Sequence, residues 1–258
     1  MAPSTTATST APPSKPPLRR RHWVLITAGV IVAALVVALV GGEFYARHTV
    51  KSCMSQQFRN ELGTNVDIGL SPKPMLVQML DKDVPYITVD SDDSAFGPAK
   101  DMHVHARIND IQLQNSADSS GTIGSSSADV KWSTDGIQST LQDQSFGALV
   151  SAVHSNASDG TLEFDIGPAG LAKLTVHPHI SDGTIAVDTV NAEILGLGIP
   201  TDLVDGIVKV MSESLQSYPL GMTPKTFQVT DNGIEMTLAG GQYTLPRADQ
   251  NSQCGGLV

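Results

Sequence analysis

The stretch Val66-Asp67-Ile68-Gly69-Leu70-Ser71-Pro72-Lys73-Pro74-Met75-Leu76-Val77-Gln78-Met79-Leu80 changes character in its middle. It begins as a half-buried strand, with Val66, Ile68 and Leu70 alternating against Asp67 and Gly69. A Pro-x-Pro then breaks the pattern, and the chain resumes as a six-residue Met/Leu cluster interrupted by Gln78. Prolines in this spacing favour a loop over a core helix. The cluster behind them is therefore either a buried turn or an apolar lip on the surface, and the fold turns on which.

Outward from this point the alternation continues. Ile87 and Val89 alternate with Tyr86, Thr88 and Asp90; Met102, Val104, Ala106 and Ile108 alternate with His103, His105, Arg107 and Asn109. The turn signals Thr134-Asp135-Gly136, Ser158-Asp159-Gly160, Ser181-Asp182-Gly183 and Asp231-Asn232-Gly233 separate extended runs such as Thr161–Ile166, Leu174–Val176 and Ile185–Val187, which predicts antiparallel hairpins. Two segments carry helical spacing instead. Val50, Met54, Phe58 and Leu62 recur every four residues, with Gly63 as the stop. Val204, Ile207, Val208, Met211, Leu215 and Tyr218 form an apolar stripe opposite Asp202, Asp205, Lys209, Ser212, Glu213 and Gln216, with Thr201 as the expected cap and Pro219 and Gly221 closing it. Strands in runs rather than alternating with helices predict an α+β fold with a large antiparallel sheet. No internal repeat and no Pro/Gly linker divides residues 43–258, which read as one domain.

The N-terminus is organised differently. Residues 1–22 contain four basic and no acidic residues in a polar, proline-rich stretch that reads as a disordered tail. Residues 23–42 carry no charge and are almost wholly aliphatic, at about the length of a membrane span. Three arginines precede this run and Glu43 follows it, so the positive-inside bias puts the N-terminus in the cytoplasm and residues 43–258 outside a single-pass cell-membrane anchor. A cleaved signal peptide is the alternative; the length of the run and the lack of a small-x-small site before Glu43 favour an uncleaved anchor. The proximal flank leaves 12 of the 16 basic residues against 26 acidic ones beyond it, a net charge of −14. Such a surface repels nucleic acid, and any lipid contact must be chiefly apolar. The two cysteines, Cys53 and Cys254, read as a disulfide in an oxidising compartment.

Catalytic signatures are missing. The chain has no G-x-S-x-G, S-x-x-K, P-loop or G-x-G-x-x-G, and no cofactor is expected. His103 with His105, and His177 with His179, each share one face of a strand. Were the two strands neighbours, four imidazoles could hold zinc. The first pair lies on the polar face, where solvated histidines belong, so no metal is expected. The acidic run Asp90-Ser91-Asp92-Asp93-Ser94 lacks the glycine and distant glutamate of a calcium loop and reads as solvated.

Several segments together resemble a known family. Leu62-Gly63, Val66-Asp67-Ile68, Ser71-Pro72-Lys73-Pro74 with its Met/Leu run, Val84-Pro85-Tyr86-Ile87-Thr88-Val89, Phe96-Gly97-Pro98-Ala99, Gly196–Val204 and Tyr218-Pro219-Leu220-Gly221 look like the LmeA-like phospholipid-binding proteins of bacterial envelopes. The resemblance implies a tubular lipid-binding fold similar to that of bactericidal/permeability-increasing protein, with long amphipathic helices packed on a curved antiparallel sheet. It implies a non-catalytic role in binding or shuttling phospholipid, including phosphatidylinositol-type lipid, in support of lipomannan elongation. On this reading Met75, Leu76, Val77, Met79 and Leu80 form a lip against acyl chains, because unbranched, polarisable Met adapts to irregular apolar ligands. Val204, Ile207, Val208, Met211 and Leu215 supply a second lipid-facing surface. Two other readings stand beside it: an enzyme acting on envelope lipids or glycans, metal-assisted through the histidine pairs, and a scaffold docking protein partners through residues 201–218.

Overall fold

The computed structural model describes residues 18–247 apart from 63, 92–94, 97–98, 115, 117, 195–199 and 217. The chain forms two compact units, Met1–Tyr45 and Ala46–Val258. Helix α1 (Leu18–Leu62) supplies the described part of the first. It starts inside the expected tail, so residues 18–22 are helical rather than disordered; residues 1–17 lie outside the description. No proline interrupts residues 18–62, and the helix runs on through the Gly41-Gly42 pair. Ile26, Val30, Ile31, Leu35, Val37 and Leu39 all face outward. By length and composition Ile26–Gln57 is able to cross a membrane.

In the second unit, strands β1 (Val66–Leu70), β2 (Asp83–Ser91), β3 (Ala95–Phe96), β4 (Ala99–Lys100), β5 (Met102–Leu113), β6 (Ser119–Ile123) and β7 (Ser125–Ser133) come first, with helix α2 (Met75–Asp81) between β1 and β2. Then follow helix α3 (Thr134–Gln142), strands β8 (Val150–Asn156), β9 (Thr161–Ile166), β10 (Ala172–Ser181) and β11 (Thr184–Ile194), helix α4 (Thr201–Leu215), and strands β12 (Thr223–Thr230), β13 (Gly233–Gly240) and β14 (Tyr243–Pro246). An eight-stranded sheet runs β1-β2-β5-β7-β13-β12, with β6 pairing β5 and β14 pairing β6; a second sheet runs β11-β10-β9-β8. The pairing is antiparallel throughout, so the α+β expectation stands.

Alternation sets which face goes in. On β5, Met102 and Val104 are buried while His103 and His105 are exposed. The main core is aliphatic, as the low aromatic content requires. Leu162, Phe164, Leu174, Val176 and Ile185 from the four-stranded sheet join Val130, Trp132, Met236 and Leu238 from the larger one, with Ile137 and Leu141 of α3 and Leu203, Ile207, Met211 and Leu215 of α4. Each fully buried side chain of this size contributes about 1.5–3 kcal/mol. A smaller cluster of Val66, Ile68 and Val89 receives Met54 from the C-terminal part of α1, which also donates Ser55 Oγ to the Val66 carbonyl at 2.9 Å.

Three of the four turn signals form the expected hairpins. Asp182 and Gly183 take positive φ (49° and 77°) between β10 and β11, as a tight hairpin turn requires. Thr134-Asp135-Gly136 does not. Ser133 Oγ accepts from the Gly136 amide at 3.0 Å and caps α3. Gly136 also approaches the Lys100 carbonyl so closely that a Cβ would stand 2.5 Å from it. Thr201 is not the cap of α4 either: Pro200 holds that position, with no side-chain hydrogen bond, and proline's preset φ starts the helix. The helix ends at Leu215, short of Tyr218. Gln216 and Tyr218 instead reach the edge strand β11, where Gln216 Nε2 donates to the Ile185 carbonyl at 2.7 Å and the Ile185 amide donates to Tyr218 Oη at 2.9 Å. Both open hydrogen-bonding groups of that edge residue are thereby covered. Burial raises the Tyr218 phenol pKa.

Candidate functional site

Helix α2 has its polarity reversed. In a surface helix the apolar side chains face the protein; here Gln78 is 3% exposed, while Leu76 and Val77 are exposed and Met79 and Leu80 stand 59% and 86% open. Met75 is half-buried.

The sequence builds this arrangement locally. Pro74 keeps an extended backbone (φ −57°, ψ 133°) at the helix start, and its carbonyl accepts from the Val77 and Gln78 amides, both at 3.0 Å. Lys82, at φ 57°, ends the helix by donating its amide to the Gln78 carbonyl at 2.8 Å. The buried side is a polar network. Gln78 Nε2 donates to Ser71 Oγ at 3.2 Å and to the Lys73 carbonyl at 2.5 Å. Arg47 Nη2 donates to that same carbonyl at 2.8 Å. Lys73 Nζ lies 2.8 Å from Asp81 Oδ2 and 2.7 Å from Asp83 Oδ2, and donates to the Asp83 carbonyl at 2.8 Å. Gln112 Nε2 holds the other Asp83 oxygen at 2.6 Å. The hydrogen bonds to Asp81, then Asp83, raise the Lys73 pKa, and the bond from Lys73 lowers that of Asp81. The result is a polar base carrying an apolar surface that the described residues leave exposed.

The second predicted surface fares differently. Ile207, Met211 and Leu215 are fully buried in the main core, with Val204 and Val208 packed beside them at partial exposure. The stripe is the inward face of α4, and β11 packs against that helix. Leu203, absent from the predicted set, is buried with them. Because α2 packs on β2 and α4 on β11, the two predicted halves belong to different sheets.

The histidine pairs are likewise separated, His103 and His105 on β5 of the eight-stranded sheet and His177 and His179 on β10 of the other. His105 pairs with Asp90, and the rings of His177 and His179 stack with centroids 5.3 Å apart. Among the described residues no group of three or more His, Cys, Asp or Glu side chains could hold a metal ion. The four-imidazole zinc arrangement therefore fails on topology. Residues 92–94 of the acidic run and Cys254 lie outside the described residues, while Cys53 sits half-buried on α1.

Sequence reasoning missed two features. Gln78 looked like an interruption of the apolar run and is its structural key. Phe44 and Tyr45, both exposed, follow the aliphatic stretch after Gly41, Gly42 and Glu43; aromatic residues near the end of such a run are the recognised signal of a membrane–water boundary.

Uncharacterized proteins of Mycobacterium bovis and of two strains of Mycobacterium tuberculosis are each 29% identical over 239 residues, covering 90% of this chain and 68% of the relative. No solved structure matches the chain. A family described as LmeA-like phospholipid-binding matches residues 37–239. With most of its length inside that match, the chain belongs to the LmeA-like phospholipid-binding family.

Proposed function

We propose that this chain is a membrane-tethered, non-catalytic phospholipid-binding protein whose second unit works outside the cytoplasm, with α2 as the surface that meets acyl chains. The reversed polarity of α2 carries the proposal. Leaving four large apolar side chains in water while burying a glutamine is unfavourable for a soluble protein, and it becomes favourable when an apolar partner covers them. Met75, Leu76, Val77, Met79 and Leu80 are the contact residues; the α4 set packs in the main core. The apolar N-terminal helix, flanked by Arg19, Arg20 and Arg21, supports a single-pass anchor with a cytoplasmic N-terminus.

Family membership supports a tubular lipid-binding architecture, phosphatidylinositol-type lipid among the ligands, and a part in lipoglycan elongation in the cell envelope. A Cys53–Cys254 disulfide completes the proposal, as an exported domain favours it. The test is native mass spectrometry of the purified full chain after exchange into a lipid-free detergent and incubation with phosphatidylinositol- or phosphatidylcholine-containing vesicles. Stoichiometric retained phospholipid is expected. A protein that never retains or takes up phospholipid under either condition overturns the reading.

A further inference from the structure

Arg47 connects the base of α2 to the point at which the chain enters the second unit. The Lys73 carbonyl accepts both Arg47 Nη2 and Gln78 Nε2, and the unit starts at Ala46, one residue before Arg47. Val40, the last aliphatic residue of the uncharged run, precedes Arg47 by seven residues. Seven residues span at most about 25 Å even when fully extended. Whatever the arrangement of the two units, a bilayer holding that run lies within this reach of the α2 base. A short tether of this kind presents the patch to its own membrane at an effective concentration of about millimolar, which no freely diffusing partner in the surroundings approaches. The chemistry suits that occupant. Leu80 and Met79 are the most exposed of the patch, and Lys82, exposed at the helix end, has a stem long enough to keep its ammonium at headgroup level while the apolar residues enter.

We propose that α2 docks into the leaflet of the same bilayer that α1 enters, so that the domain takes lipid from the membrane that tethers it; the inference rests on the phospholipid-binding reading above. Docking in this sense places Met75–Leu80 among the acyl chains of a standing bilayer. It differs from holding one extracted lipid.

The two are separated by photolabelling the full chain in proteoliposomes. One preparation contains a phosphatidylcholine with a diazirine on its acyl chain, which the protein is able to extract. The other contains a membrane-spanning bipolar lipid with the diazirine close to one headgroup, which cannot leave the bilayer. After irradiation and digestion, adducts are mapped by mass spectrometry, with those on residues 26–40 as the internal reference. Docking predicts adducts on residues 75–81 from both probes. In a variant carrying Met79→Asp and Leu80→Asp, whose fold is checked by thermal melting, their yield is expected to fall by at least about tenfold relative to the reference, since two large apolar contacts are lost. Adducts from the extractable probe alone overturn docking and leave phospholipid binding standing. Adducts only from probe placed in added protein-free vesicles show engagement of a second membrane and also overturn it. With no adducts on 75–81 from any probe docking falls, and co-purified phospholipid in the same sample decides whether the lipid-binding reading falls with it. An unchanged yield in the double variant overturns the assignment to Met79 and Leu80.

Discussion

Gln78 and Ser71 face each other in the interior beneath α2, the amide nitrogen of one 3.2 Å from the hydroxyl oxygen of the other, and both are buried. A buried polar pair of this kind fixes orientation, because rotating the helix to hide its leucines would strand the amide and the Lys73 carbonyl without each other. Gln78→Ala is expected to lower stability by about 1–3 kcal/mol, because it strips the buried Ser71 hydroxyl of this donor and leaves the Lys73 carbonyl with Arg47 alone. In a domain of this size that is a fall in Tm of several degrees. Gln78→Leu is the sharper case. An apolar residue at this point favours turning α2 inward, so lipid uptake is expected to fall while stability recovers relative to Gln78→Ala. Paired melting and uptake measurements on the two variants check this; equal uptake in both and the parent removes Gln78 from the account.

The lip and the core are distinguished by how each tolerates charge. Leu76→Asp or Met79→Asp on the exposed face is expected to shift stability by no more than about 0.5 kcal/mol. Lipid uptake is expected to fall, since each lost apolar contact is worth about 1.5–3 kcal/mol of burial. Met211→Ala, in the core, is expected to cost about 2–5 kcal/mol. Uptake by its folded fraction should stay at the parental value. Thermal melting with a vesicle-transfer assay reads all three. Should the Asp variants melt far below the parent, or transfer lipid at the parental rate, the lip assignment is lost.

The parts of this fold that were legible in the sequence are those in which burial and period coincide. The β9 strand was read to the residue, and Met102, Val104, His103 and His105 took the faces their alternation assigned. Helix α3 was not legible, because Thr134-Asp135-Gly136 carries turn chemistry and only the neighbouring strands decide whether Ser133 caps a helix or ends a hairpin. The stripe on α4 located an inward face but not what packs there: periodicity specifies a direction, and only the tertiary topology brings β11 against it. The lip was suggested by Pro72 and Pro74. Its reversed polarity was not, since a glutamine inside a Met/Leu run reads as an interruption until Ser71 and the Lys73 carbonyl are seen to receive it.

The charged part of the α2 base sets its pH range. Lys73 lowers the pKa of Asp81 below the ordinary 3.8, so the stability this contact adds is complete above 3.8 and is lost as pH falls through the lower native value. Asp81 and Asp83 raise the pKa of Lys73 above the ordinary 10.5, so its share is complete below 10.5 and is lost as pH rises through the higher native value. Both contributions are therefore at full strength across the neutral range. Lipid uptake, normalised to folded protein, is expected to be flat from about pH 5 to about pH 9 in the parent. Lys73→Met is expected to reduce α2 protection against hydrogen exchange at neutral pH by as much as it does at pH 5. A parental uptake curve with a midpoint near pH 6–7 would point to histidine control and remove this network as the governing element.

A covalent link between Cys53 and Cys254 would act on the part of α1 that packs against the sheet. Cys53 adjoins Met54, which sits on Val66, Ile68 and Val89, so a bond from Cys53 to the chain end would hold this short apolar contact closed. The contact is small, and the gain from closing a loop of about 200 residues is about 4–5 kcal/mol in the chain-entropy account. That is enough to decide whether residues 46–62 stay on β1 and β2 at growth temperature. Peptide mapping of unreduced protein is expected to recover the Cys53 and Cys254 peptides joined. Reduction is expected to lower Tm and to raise hydrogen exchange first in residues 46–62 and β1, ahead of the main core around Trp132 and Phe164, which has no share in the bridge. Full alkylation of both thiols in native, unreduced protein refutes the pairing; joined peptides with unchanged exchange in residues 46–62 refute the clamp while leaving the bond.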